Sequence, residues 1–137
     1  MTDYVLDSFA LTAYVQNEVG GKRVKELLDE ADAGTTRLLM TTVNLGETLY
    51  IIYRRQGPNG FVAVMNLAAD LPIDLVDADL SLTVSAARMK AVTPIAYGDC
   101  FAAALALERG ATVVTGDPDF QQVEPQVNIE WLPGARY

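Results

Sequence analysis

The apolar positions along the chain change period several times, and each change marks an element. Residues 4–6 form a short apolar run that ends at Asp7. From Ser8, SFALTAYVQNEVG takes a helical period with Phe9, Leu11, Ala13, Tyr14 and Val15 on its apolar side, Ser8 as N-cap and Gly20-Gly21 as the stop. Val24, Leu27, Leu28 and Ala31 give a second helix that runs to Gly34. RLLMTT predicts a strand, and TVNLGETLYIIYRRQG a helix that carries Glu47 in its first half and stops at Gly57-Pro58. A further helix is expected from Phe61 to Ala69, a strand in LPIDLVD, and a helix from Ala78 to Met89. TPIAYGD reads as a loop up to the helix DCFAAALALERG, for which Gly110 is a natural C-cap. ATVVT is a short buried strand, GDPDF a turn, and Val127 to Leu132 a weak last strand before a tail ending in Tyr137.

Short strands alternating with helices predict an α/β fold with a mainly parallel central sheet and helices on both faces, a three-layer α/β/α sandwich. No linker, repeat or low-complexity run divides the chain, so residues 1–137 are expected to form one domain.

This pattern fixes where the acids fall. Asp7 directly follows the first strand, and Asp117 follows ATVVT by two residues. In a parallel sheet both sit at carboxyl ends of strands, where open α/β sheets place their sites. Asp99 opens the long helix, and Glu47 lies near the start of another. Four carboxylates around one cleft would repel one another and raise their own pKa values, unless a divalent cation neutralises them. An all-oxygen donor set suits Mg2+ or Mn2+, and such an ion supports hydrolysis of a phosphodiester by metal-activated water.

Composition narrows the chemistry further. Histidine is absent, which removes histidine general bases, His-dependent triads and His-ligated zinc. The single cysteine, Cys100, rules out an internal disulfide and fits a reducing compartment; packing is its expected role. The N-terminus carries Asp3 and Asp7 where a signal peptide would be basic, and no run approaches the roughly 18 apolar residues of a membrane span. The expectation is a soluble, cytoplasmic protein without a membrane partner. The 18 acidic residues outnumber the 10 basic ones for a net charge of -8, which excludes a broad basic coating for nucleic acid.

The segments YVLDSF, TTVNLGETLYII and YGDCFAAALALERGATVVTGDPDF, together with the chain length, resemble the PIN-domain nucleases. Within that family they resemble the small VapC-type ribonuclease toxins of toxin–antitoxin pairs. The resemblance implies a PIN-like sandwich and an endoribonuclease that uses Mg2+ or Mn2+. It places Asp7, Glu47, Asp99 and Asp117 at the family's metal-binding and catalytic acids. Asp119 matches a further acid, and Thr115 a hydroxyl that holds a ligating aspartate or water. It also implies an RNA substrate, a cognate antitoxin and a homodimer. Two departures stand out: Gly98 and Tyr97 replace the commoner small residue before Asp99, and the turn GDPDF is acidic and contains Pro118.

Several residues have competing roles. Asn44 is three residues before Glu47 and can orient it, contact substrate or cap the helix. Asp99 can cap its helix as well as bind an ion. Ser8 is a cap rather than a nucleophile, since no base is available to activate it. Arg54-Arg55 and the group Lys22, Arg23 and Lys25 suit helix ends or an RNA backbone. LYIIY with Phe61, Val62, Val64 and Met65 exceeds one helix face and points to a partner surface.

The competing functions are a PIN-type nuclease of RNA maturation or of DNA, and a degenerate domain that binds RNA or protein without cutting. Phosphatase and phosphoacceptor chemistry fit poorly, because Phe9 stands where the former needs a second aspartate and the latter needs a late lysine. Asp7, Glu47, Asp99, Asp117 and Asp119 account for five of the eight net negative charges, so much of the acidity belongs to the expected ion site.

Overall fold

A computed structural model describes residues 1–133, and the expected tail to Tyr137 lies outside them. Five strands form one sheet in the order β3-β2-β1-β4-β5. They are β1 Thr2–Leu6, β2 Thr36–Thr41, β3 Ile73–Val76, β4 Thr112–Thr115 and β5 Ile129–Trp131. Every pairing is parallel, with Tyr4 opposite both Leu38 of β2 and Thr112 of β4.

The strands carry apolar residues on both faces, as a sheet covered twice must. Val5, Leu39 and Val113 turn to one side, where they meet helices α4 (Leu80–Val92) and α5 (Tyr97–Arg109). Leu6, Leu38, Met40 and Val114 turn to the other, against α1 (Ser8–Val15) and α2 (Gly21–Asp32). Each such side chain, fully buried, contributes roughly 1.5–3 kcal/mol. The expected three-layer α/β architecture is therefore the one found. Helix α2 buries Val24, Leu27 and Leu28 at helical spacing and leaves Lys22 and Lys25 in water. Helix α5 is buried continuously from Asp99 to Ala106, because its alanines let the backbone settle close to sheet and neighbouring helix.

Four local expectations change. Helix α1 is capped by Asp7, whose carboxylate accepts from Ala10 N–H at 2.8 Å, so Ser8 is its first turn and not its cap. It also ends at Val15, not at the glycines, because Asn17 takes a left-handed φ of 53°. The break at Gly57-Pro58 is real but brief: Gly57 adopts φ 74°, and helix resumes at once, so α3 runs kinked from Thr42 to Asp70 instead of restarting at Phe61. Proline is at home there, in the first turn of the renewed helix. Helix α5 begins at Tyr97, which puts Asp99 inside its first turn and not at its boundary. Among the described residues no helix is long and apolar enough to cross a membrane.

Candidate functional site

After β1 the chain winds outward through β2 and β3, and β4 then returns to the other side of β1. The gap between β1 and β4 is thus the switch point of the sheet, where adjacent loops part and leave a crevice. Asp7 leaves β1 there, and Asp117 follows β4. The two are linked through Thr115. Its hydroxyl donates to Asp7 Oδ2 at 2.5 Å and accepts from the backbone N–H of Asp117 at 3.0 Å. Asp7 is 1% exposed, yet both carboxylate oxygens are engaged, one by Thr115 and one by Ala10.

Glu47 is positioned from a different direction. Thr41 caps α3 by accepting from Asn44 N–H at 3.0 Å, and its hydroxyl donates to Asn44 Oδ1 at 2.6 Å. That leaves the Asn44 amide nitrogen to donate to Glu47 Oε1 at 2.9 Å and to the Gly98 carbonyl at 3.1 Å. Asn44 thus hydrogen-bonds Glu47, while Thr41 is the cap of α3. Gly98 completes the cradle, since a Cβ there would come within 2.5 Å of the Glu47 carboxylate. The same glycine that departs from the commoner residue is therefore the one that admits the glutamate. Tyr97 does not press into the cleft; its ring packs edge-on against Phe101 at 5.0 Å.

Asp99, Asp117 and Asp119 complete the group, each offering a carboxylate oxygen within 4.8 Å of the others. Asp119 is thereby drawn into the tightest part of the cluster. Asp117 caps the short 3₁₀ turn Pro118–Val123 by accepting from Asp119 N–H at 3.0 Å, which is how GDPDF brings two acids to one side. Asp99 sits 7% exposed beneath them.

The electrostatics follow from this crowding. Burial, with smaller contributions from Asp99 and Asp117, raises Asp7 to a pKa of about 8, against the opposing hydrogen bonds from Thr115 and Ala10. Burial also raises Asp99 to about 7, and the charges of Asp117, Glu47 and Asp119 add to it. Among the described residues no ion pair reaches any of these five acids. Carboxylates alone, converging with no cationic side chain between them, make a donor set that fits a hard divalent cation.

Several basic residues are engaged away from these acids. Arg23 is held by Glu130 at 2.7 Å with Glu26 and Glu30 nearby, and Lys25 pairs with Asp29 at 3.0 Å. Arg54 lies over the Tyr50 ring at 4.8 Å. Cys100 is buried in the core beside α4, in line with packing. Two contributors had no signal of their own in the sequence. One is Thr41, the root of the Asn44 network; the other is Gly116, where a Cβ would run into the Phe9 ring.

A family model, that of the PIN domain, matches residues 4–125. Solved structures are similar over nearly the whole chain. The VapBC2 complex of Rickettsia felis, bound to a DNA fragment from its promoter, gives a TM-score of 0.74 at 15% identity, covering 96% of this chain and 99% of that one. DNA-bound VapBC from Salmonella typhimurium gives 0.70 at 20% identity, with 95% and 98% covered. VapC20 of Mycobacterium tuberculosis, a sarcin-ricin loop cleaving toxin, gives 0.68 at 17% identity, with 86% and 92% covered. At these identities the likeness is one of fold. No curated protein sequence matches the chain significantly.

Proposed function

The chain belongs to the PIN-domain family, and on that premise we propose that it is a Mg2+- or Mn2+-dependent endoribonuclease of the VapC type, acting as one PIN unit. The observation that carries this is the convergence of Asp7, Glu47, Asp99, Asp117 and Asp119 on one crevice with no cationic side chain paired to them. Asp7, Glu47, Asp99 and Asp117 would hold the ion, with Asp119 beside them. When bound, such an ion lowers the pKa of a water and offsets charge on the attacked phosphate.

The chain's own residues prepare for this. Thr115 and Ala10 fix both oxygens of Asp7, so its direction is set before any ligand arrives. Asn44 does the same for Glu47. Burial raises the Asp7 pKa to about 8, so a bound cation would compete with a proton for this carboxylate near neutral pH. Ser8 has a backbone part only: its carbonyl accepts from the Thr48 hydroxyl at 3.2 Å and ties α1 to α3.

The VapBC complexes among the structural neighbours support a cognate antitoxin as partner. The outer side of α3 supports a protein contact, whether antitoxin or second copy. Ile52 and Val64 enter the core, while Tyr50, Tyr53, Val62 and Met65 are about half exposed. The test is to map new RNA 5' ends after brief induction of the chain in cells, alongside Asp7→Asn. Discrete ends present with the native chain and absent with the variant are expected; full activity of Asp7→Asn on the same sites would overturn the reading.

A further inference from the structure

Beside the acid cluster a groove of about 460 Å³ runs between α1 and α3, and Phe9, Thr12, Glu18, Ile51, Arg55 and Asp117 are among the residues that line it. Phe9 is the residue that this groove leaves unexplained. It stands two positions after Asp7, 39% exposed, while the next four residues of its helix are all buried. Its ring nevertheless has a fixed seat, because it packs on Gly116 where no side chain intervenes. Across the groove Arg55 is only loosely engaged. It donates to Gln16 Oε1 at 3.2 Å and lies 3.8 Å from Glu18 Oε2, with both charged side chains 50% exposed. An exposed pair at that distance contributes little, so the guanidinium can exchange it for a phosphate.

We propose that Phe9 is a stacking platform for an unpaired nucleobase beside the cleaved phosphodiester, and that Arg55 takes the adjoining backbone phosphate. The inference rests on the nuclease reading above and specifies how its substrate is held. A chain with a net charge of -8 cannot rely on a basic surface for nucleic acid. Stacking on an aromatic face is indifferent to that charge, and it selects single-stranded substrate because a paired base has no free face to offer. The groove reaches Asp117, so a base seated on Phe9 leaves its own phosphate at the acids.

The probe is a short single-stranded RNA containing one 2-aminopurine, whose fluorescence is quenched on stacking, titrated with Asp99→Asn protein to prevent cutting. Binding with quenching is expected. Adding Phe9→Leu, which keeps an apolar contact on Gly116, should weaken binding about tenfold and remove the quenching. Phe9→Trp should retain both. With an abasic position in place of the 2-aminopurine, the proteins with and without Phe9→Leu should bind alike. Arg55→Gln should reduce the dependence of log K on log salt by about one. Equal affinity and equal quenching with Phe9→Leu would overturn the inference. Asp99-dependent cleavage that is unaltered by Phe9→Leu would sink this inference alone; absence of cleavage by the native chain would sink the nuclease reading beneath it.

Discussion

Two helices open onto the crevice, and they hold their aspartates in opposite ways. At the start of α1, Asp7 is part of the architecture: it caps the helix, and Thr115 of β4 grips its second oxygen. At the start of α5, Asp99 caps nothing; Ala96 occupies the cap position, without a side-chain bond. Asp7 joins two strands and a helix, so folding itself supports the cost of burying it. Asp99 is buried among like charges and gains no hydrogen bond among the described residues, an arrangement that favours a positive ligand. Asp7 thus has a structural part whatever it binds.

The sharpest way to break this comparison is Asp99→Asn. Cleavage and Mn2+ binding are expected to fall to background, while the ion-free protein melts no lower than the native chain at pH 8, since a disfavoured buried charge has been removed. A lowered melting temperature would show that Asp99 carries structural weight after all.

A smaller effect sharpens the other side. Thr115→Val removes the hydroxyl shared by Asp7 and Asp117, and Mn2+ affinity measured by calorimetry should drop about 10–100-fold. Because that hydrogen bond holds the Asp7 pKa down, the same variant should raise it further above about 8. Unchanged affinity would mean that Asp7 needs no second support.

The smallest effect is in the pH dependence of the ion-free protein. The folded-state pKa values of about 8 for Asp7 and about 7 for Asp99 lie above the ordinary 3.8. Between those limits the folded chain therefore binds more protons than the unfolded one, and stability falls as pH rises. Melting in EDTA should decline by several degrees from pH 5 to pH 8, less steeply in Asp99→Asn, and Mn2+ should flatten the decline. A melting temperature that climbs across this range in EDTA would contradict the burial of both acids as charged groups.

How much of this the sequence made legible depended on range. Asp7 and Asp117 could be placed at strand ends because apolar runs with abrupt stops are local signals, and the glycine after α5 marks its end for the same reason. The cap of α1 was misassigned by one residue, since Ser8 and Asp7 are equally good caps in isolation and only β4 decides between them. Asp119 entered the tight cluster through a turn geometry that its neighbours alone do not specify. Gly98 and Gly116 were the least readable. What demands their lack of a side chain is Glu47 in one case and Phe9 in the other, each far away along the chain.

The hydrogen bond from Thr115 to Asp7 spans 108 positions of the chain. Asp7, Glu47 and Asp99 all precede in the chain the strand that brings Asp117 alongside Asp7. A nascent chain halted before residue 112 has most of the acids and no crevice to gather them. The proposed ion site therefore cannot form until β4 has paired with β1.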